Sequence, residues 1–410
     1  MTKPSEHWTE IQGGVTTPLK YQAAASSAGI KPGSTKKDLA ILFSESASLS
    51  AALFTQNRVA AAPVLVSRRL LAEARGSVRA LIVNSGNANA CTGRRGIRDA
   101  ESMARLTADA LKIPAGSALV ASTGVIGVTL PMDRIMRGIP AVLEKLSNQG
   151  GSDFSEAILT TDTRKKSCVV QSSIGGRMVT IAGVAKGSGM IQPRLATMLA
   201  FATTDANLSL PLLKKALHHA AKVSFNRVTV DGDTSTNDSL FLLANGASGA
   251  RAIAKEDRWF DHFQQGLTQV CTSLARQIAQ DGEGAKKFIE VNVREGRTAK
   301  ECEQVARAIA NSPLVKTAIA GADANWGRII CAAGYSGVPF DPERLNIALN
   351  GLQVCRHGQP MGFDERRAKE LLQEPEVQID VSLGRGRQAA TVWTCDLTED
   401  YIKINALYRT

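Results

Sequence analysis

Strand-like and helix-like stretches arrive in blocks along this chain instead of alternating one for one. That order constrains the fold more than any other feature. Strict β-α-β alternation builds a doubly wound parallel sheet, whereas blocks of like elements build stacked layers. Apolar runs predict strands at Leu39–Phe43, Pro63–Val66, Ala80–Asn84 and Ala118–Ala121. Ser167–Ser173 and Arg177–Val184 flank Gly175-Gly176, a pair that permits the positive φ of a tight hairpin turn. Helical spacing is present in Arg98–Leu111, Pro140–Leu146, Leu210–Val223, Trp259–Gln280 and Ala299–Ala310. Towards the C-terminus, short strands mix with one helix near Asp364–Leu372. The blocks predict an α+β chain built as a layered sandwich.

The chain has 410 residues, enough for two or three packed units or one large core with an appendage. No apolar run approaches the roughly 18 residues that a spanning helix needs. Met1–Gln12 lack the apolar middle of a secretory signal. The expectation is a soluble, cytoplasmic protein with no membrane partner. Seven cysteines, an odd number and none in a C-x-x-C pair, argue against a disulfide framework or a zinc site. The net charge of +11 would suit nucleic acid. Yet the cations fall in scattered pairs (Arg68-Arg69, Arg94-Arg95, Lys165-Lys166, Lys286-Lys287, Arg366-Arg367) and aromatics are 5%, too few for stacking platforms. We expect a solvated basic surface that gathers small anions, and no nucleic-acid partner.

Several motifs fail on inspection. Gly384-Arg-Gly-Arg-Gln-Ala389 loosely matches a dinucleotide loop, but a strand-like Ala390–Thr394 follows where a helix is required, so a hairpin turn is expected. Asp231-Gly-Asp233-Thr-Ser235-Thr-Asn237-Asp238 opens like a calcium loop, but Thr236 replaces the glycine at position six and Leu242 the glutamate at position twelve. The segment is left either as a turn held by its own side chains or as the lining of a site. The five histidines (His7, His218, His219, His262, His357) have no metal-ligand spacing, and there is no G-x-S-x-G elbow.

One stretch is compatible with acyl transfer in the absence of a histidine base. Lys186-Gly-Ser-Gly189 leads through Pro193 to Ala196-Thr197 and an apolar, strand-like run, Thr197–Ala202. A threonine there is commonly just a β-branched strand residue. The alternative is an N-terminal nucleophile. The Thr197 hydroxyl attacks the preceding peptide carbonyl, the acyl group shifts from nitrogen to oxygen, and hydrolysis frees a new α-amine. With a pKa of about 8, that amine can act as base for the adjacent hydroxyl. Ser122-Thr123-Gly124-Val-Ile-Gly127 is either a strand-end turn or an oxyanion site made of the Thr123 hydroxyl and the Gly124 amide.

These residues lie in an ordered series of blocks: Asn84–Gly93, Ser122–Gly127, Lys186–Ile191 with Ala196–Leu199, Asp231–Asp238, Asp281-Gly-Glu-Gly284, Asp323-Ala-Asn-Trp-Gly-Arg328, and Asp400–Asn405 with Thr410. The series resembles the bifunctional glutamate/ornithine acetyltransferase family over essentially the whole chain. The resemblance implies an αββα sandwich, N-terminal-nucleophile-like, with a smaller C-terminal α/β domain. It implies cleavage between Ala196 and Thr197 into chains 1–196 and 197–410, the second with a subdomain from about residue 285, and assembly of two copies of each. Thr197 is then the nucleophile and Thr123 and Gly124 the oxyanion residues. Substrate contacts are implied for Thr160 or Thr161, Lys186, Thr197, Glu283, Asn405 and Thr410. The implied reaction carries acetyl from N2-acetylornithine through Thr197 to glutamate, with no cofactor or metal. Some family members also take acetyl-CoA as donor.

The chain departs from the family where Pro-Asn-Met before Ala-Thr becomes Pro193-Arg194-Leu195, and where Ala320 replaces a phenylalanine. Both departures bear on substrate rather than reaction class, so an acyltransferase with a shifted substrate is one alternative. Two others are an amidase or aminopeptidase that passes the acyl group to water and a non-catalytic binding protein.

Overall fold

The structure, a computed structural model, describes residues 7–31, 33–192 and 198–407. Three sheets organise it. The first has the order β1 (Thr9–Glu10), β7 (Lys166–Ile174), β8 (Arg177–Lys186), β9 (Leu199–Thr204), β10 (Ser239–Ala244), β4 (Leu49–Phe54). The second has the order β2 (Tyr21–Ser26), β3 (Leu39–Ser44), β5 (Ala80–Asn87), β6 (Ala118–Val125). The third has the order β14 (Gln359–Pro360), β13 (Leu352–Arg356), β12 (Asn346–Leu349), β15 (Glu376–Ser382), β11 (Phe288–Gly296), β16 (Gln388–Cys395).

Side-chain parity along the strands explains the layering. Strands whose two faces are both apolar need a partner layer on each side. In β9 and β10, Leu199, Phe201, Phe241 and Leu243 point one way, into a core shared with Leu42, Leu81, Val83 and Leu119 of the second sheet. Phe201 stacks on Phe241 at 5.6 Å between ring centroids and meets Phe154 edge-on. The alternate residues Ala200, Ala202, Leu240 and Leu242 point to the opposite face, where α5 (Leu210–Val223) and α6 (Arg258–Gln280) cover them with Leu213, Leu217, Phe263 and Leu267. The outer face of the second sheet is covered by α1 (Ala62–Glu73), α2 (Gly93–Ala110) and α3 (Met132–Leu143). The result is an αββα sandwich. The short helix α4 (Gly151–Ala157) adds Phe154 and Ala157 to the inter-sheet core.

The third sheet has its own core, where Val291 and Val293 of β11 pack on Val305 and Ile309 of α7 (Ala299–Ala310). Helices α8 (Pro313–Ala320), α9 (Trp326–Gly334) and α10 (Glu365–Leu372) complete that layer. Phe288, Trp393 and Cys395 face the other way, into the core of the first sheet, and so dock the two bodies. The chain ends in α11 (Glu399–Leu407), which buries no residue. Among the described residues no helix is long and apolar enough to cross a membrane.

Several expectations hold. The Gly175-Gly176 turn joins β7 to β8 with Ile174 opposite Arg177. Helix α6 begins where the Asp257 side chain accepts from the Trp259 and Phe260 amides, and Asp364 caps α10 in the same way. Others need correction. Pro63–Val66 is the first turn of α1, because proline is pre-set for that position and loses no hydrogen bond there. Pro140 lies inside α3, which begins eight residues earlier; the apolar face of Ile135, Ile139 and Val142 outweighs the one missing amide. Arg227–Val230, strand-like in sequence ahead of the polar run, is instead the end of a 3-10 turn and a single bridge from Val228 to Trp393. The Gly384 turn is not a hairpin, since β11 lies between β15 and β16.

Candidate active site

The site lies where β5 and β6 of one sheet end beside β8, β9 and β10 of the other. β5 and β6 run parallel, and their ladder shifts register at Asn87, which faces both Thr123 and Val125. Gly124 sits there with φ +131°, and a Cβ on it would come within 2.3 Å of the Gly86 carbonyl carbon. Only glycine lets the two backbones approach this closely. The strand end is then fixed by amides from distant segments. Ser122 Oγ donates to Asn84 Oδ1 at 2.6 Å, and Asn84 Nδ2 donates to the Asn87 carbonyl at 2.9 Å. Asn237 Nδ2 donates to the carbonyls of Ala88 and Ser122 at 2.6 and 2.8 Å.

Lys186, the last residue of β8, reaches across the gap between the sheets. Its Nζ donates to Thr123 Oγ1 at 2.9 Å and to Thr160 Oγ1 at 3.0 Å. An ammonium has only protons to give, so each threonine oxygen must accept and its own hydroxyl proton is free to point elsewhere. Burial pushes the Lys186 ammonium below the ordinary lysine range, opposed chiefly by Asp162. The neighbouring Thr161 hydroxyl bonds instead to Ser188 Oγ at 2.7 Å.

Beneath these groups lies a buried ion triad. Lys166, fully excluded from solvent, sits 2.7 Å from Asp162 Oδ1 and 2.5 Å from Asp281 Oδ2. Asp162 also accepts from the Gly187 amide at 2.6 Å and the Thr160 amide at 3.2 Å. Asp281 accepts from the Thr163 amide and hydroxyl. Burial raises the Asp162 pKa, but Lys166 and then Lys186 outweigh it and hold the carboxyl below the usual range. One cation thereby ties together the Thr160 loop, the Lys186-Gly187 corner and the segment that carries Glu283. The expectation that Lys165-Lys166 is a solvated pair fails for Lys166. Strand parity offered the clue, since Lys166, Cys168 and Val170 share the inward face of β7.

The opposite wall carries carboxylates. Glu283 is buried, its amide donates to the Ser188 carbonyl, and its Oε2 accepts from Asn405 Nδ2 at 2.8 Å. A Cβ on Gly189 would lie 2.3 Å from Glu283 Oε2, so that glycine makes room for the carboxylate. Asn405 and Tyr401 share a face of α11 at four-residue spacing and both line the cavity. Asp231 accepts from the Met190 and Ile191 amides at 2.6 and 2.9 Å, which pins the chain just before the proposed cleavage point. The polar run Asp231–Asp238 thus does both: Asp231 and Ser235 accept from the Asp233 and Asn237 amides within the run, and the run lines the cavity.

Together these residues enclose a cavity of about 250 Å³ lined by Thr123, Gly124, Thr160, Thr161, Lys186, Glu283, Asn405, Asp238, Met198 and Leu199, among others. Ala196, Thr197 and Thr410, with Arg194 and Leu195, lie outside the described residues. Ala320 closes α8 and is not among the cavity's lining residues. Among the described residues no cluster of three or more histidine, cysteine, aspartate or glutamate side chains could hold a metal ion. The sequence did not point to Asp162, Lys166 or Asp281 as site residues, nor to the amide scaffold of Asn84 and Asn237. These contacts bridge up to 149 residues and leave no local pattern.

The model of the ArgJ family matches residues 22–410. The chain is 50% identical over 401 residues to the arginine biosynthesis bifunctional protein ArgJ of Symbiobacterium thermophilum, covering 98% of this chain and 99% of that protein. It is 46% identical over 404 residues to the protein of the same description from Caldanaerobacter subterraneus subsp. tengcongensis, with 98% and 99% covered. A crystal structure of the arginine biosynthesis bifunctional protein ArgJ from Bacillus halodurans matches with a TM-score of 0.50 and 46% identity. That match covers 51% of this chain and 98% of the crystallised one.

Proposed function

The chain belongs to the ArgJ family, and from that premise we propose that it is an acetyltransferase of arginine biosynthesis that moves acetyl from N2-acetylornithine to glutamate through Thr197. The observation that carries the reading is the meeting, in one cavity, of Thr123 and Gly124, the Lys186 cation, the Glu283 carboxylate and the residues that directly follow Thr197.

The chemistry begins with self-cleavage. Thr197 Oγ adds to the Ala196 carbonyl carbon, the C–N bond breaks to leave an ester and an amine, and water hydrolyses the ester. The free α-amine then takes the Oγ proton while Oγ attacks the acetyl carbonyl of the donor. Negative charge develops on that carbonyl oxygen. The Thr123 hydroxyl, its lone pair occupied by Lys186, offers its proton there together with the Gly124 amide. Ornithine leaves with the proton returned by the amine. The glutamate amine attacks acetyl-Thr197 in the second half, across the same oxyanion site. Lys186 and Glu283 supply opposite charges for amino-acid carboxylates and ammonium groups.

Support for cleavage comes from size. The crystallised Bacillus halodurans chain corresponds to about half of this one and is itself covered almost completely. A chain running from Thr197 to Thr410 is of that size. We propose that two such chains and two 1–196 chains assemble, and that the enzyme works in the cytoplasm.

Incubating the purified enzyme with acetylornithine and glutamate tests the acceptor. N-acetylglutamate should form in step with ornithine, with free acetate a minor product. Acetate as the main product, unchanged by glutamate, would make the chain an amidase instead.

A further inference from the structure

We propose that a second cavity, separate from the active site, binds the oxyanion group, phosphoryl or carboxylate, of a small metabolite, and that binding there steadies the loop that carries Thr160. The cavity has a volume of about 340 Å³ and shares no lining residue with the active site. Its walls are the turn at residues 13–17, the segment 148–155 and the start of β7. Glycines let these segments close on one another. A Cβ on Gly13 would lie 2.3 Å from Thr17 Oγ1, and one on Gly151 would lie 2.8 Å from Thr16 Oγ1. Hydrogen-bond donors converge on the space between. Lys165 Nζ donates to Ser152 Oγ at 2.7 Å, and the Gly14 amide donates to Thr17 Oγ1 at 2.9 Å. Ammonium and amide groups have only protons to give, so both hydroxyl protons are left to donate elsewhere. Ser155 is 3% exposed and lines the cavity, and its Oγ has no hydrogen-bond partner among the described residues. Leaving a buried hydroxyl unpaired is costly, and an oxyanion in the cavity accepts its proton.

Charge decides the class of ligand. The lining residues include one cation, Lys165, and no carboxylate. The two carboxylates of α4, Asp153 and Glu156, pair with Lys37 instead, at 2.7 and 2.9 Å. An ammonium-bearing ligand would find no partner here, whereas an oxyanion meets a cation and several hydroxyl donors. The volume falls at the low end of small-molecule pockets, about 300–1,000 Å³. The link to the loop follows from strand parity. Lys166 turns inward to Asp162 and Asp281, and Lys165 turns the other way, to this cavity. The chain between Ser155 and Lys165 is therefore anchored here at both ends. Between them it carries Thr160, which accepts from Lys186, Asp162, which holds Lys166, and Thr163, which bonds to Asp281. An anion that bridges the two ends removes freedom from the loop they enclose. The loop's role in catalysis rests on the reading of Thr160 given above, whereas the anion site does not.

The test titrates the purified full protein with inorganic phosphate and, separately, with citrate, against KCl of matched ionic strength. At least one of the two should raise the melting temperature saturably, beyond the KCl control. A response to phosphate alone assigns a phosphoryl group, and one to citrate alone assigns a carboxylate. Lys165→Met, a change at an exposed side chain that leaves the core intact, should abolish the response. Ser155→Ala should weaken binding about 10-fold or more. Lys300→Met, exposed on α7 of the third-sheet body, should bind as wild type. Hydrogen-exchange mass spectrometry should show slower amide exchange in residues 158–165 when the anion is bound, and no slowing in Lys165→Met. A wild-type protein that answers neither anion beyond KCl overturns the proposal, as does a response that survives in Lys165→Met. Binding with unchanged exchange in residues 158–165 overturns the link to the Thr160 loop. None of these readouts uses turnover, so a protein without acetyl transfer would sink the functional reading and leave this proposal standing.

Discussion

Thr197→Ala should yield a single uncut chain of 410 residues whose acetyl transfer is lower than wild type by roughly 10⁴-fold or more. Both effects come from one hydroxyl. Without Oγ nothing can add to the Ala196 carbonyl, so no amine is released. Without the amine and the hydroxyl together, the proposed mechanism loses both its base and its nucleophile, and among the described residues no histidine lines the cavity to replace them. What remains is a binding pocket with an oxyanion site. Thr197→Ser keeps a hydroxyl and should cut and transfer, more slowly. A denaturing gel and an ornithine-release assay read both outcomes, and an alanine variant that still splits at the same bond would contradict the mechanism.

Gly124→Ala should be the most damaging single-methyl change outside the nucleophile. Two costs add there. At φ +131° any side chain is strained, and the new Cβ would sit 2.3 Å from the Gly86 carbonyl carbon and 2.4 Å from the Asn87 nitrogen. Backbone atoms cannot swing aside as a flexible side chain would, so the end of β6 must move. That displaces the amide proposed to meet the oxyanion, a kind of donor worth about 10²–10³ in rate. Gly127→Ala is the control that separates the two costs. It has φ +82° but open space around the added carbon, so it should lose only about 1–2 kcal/mol of stability from backbone strain. Thermal melts and kcat for the two variants decide the matter. Equal kcat in both would remove Gly124 from the oxyanion site.

The layered fold was legible because its signals are local. Block order, the Gly175-Gly176 turn and the periodicity of α2, α5, α6 and α7 each live within one short window. Pro63–Val66 misled because four apolar residues fit a strand or a helix equally well, and only the packing of Val66 and Ser67 against the second sheet chooses. The Gly384 turn misled because a turn shows where the chain bends, not which strand lies beside it. At the cavity, Thr123 was singled out by its Gly-rich strand end, whereas Lys186 and Glu283 came from the resemblance to the acetyltransferase family. The triad of Asp162, Lys166 and Asp281 was not, since a lysine pair looks the same whether solvated or buried between two carboxylates 119 residues apart in the chain. Asp238 was legible only as one residue of the eight-residue run Asp231–Asp238. Its place in the cavity wall comes from β10 running beside β9.

The central claim is that the chain is cut before Thr197 and that the acetyl group then rests on that residue. Mass spectrometry of the mature protein after brief exposure to acetylornithine without glutamate tests it most directly. The account predicts a fragment that begins Thr-Met-Leu-Ala, carries one added acetyl group on the threonine, and loses it when glutamate is supplied. A fragment with a different first residue, or an active enzyme that never carries acetyl on Thr197, would contradict it.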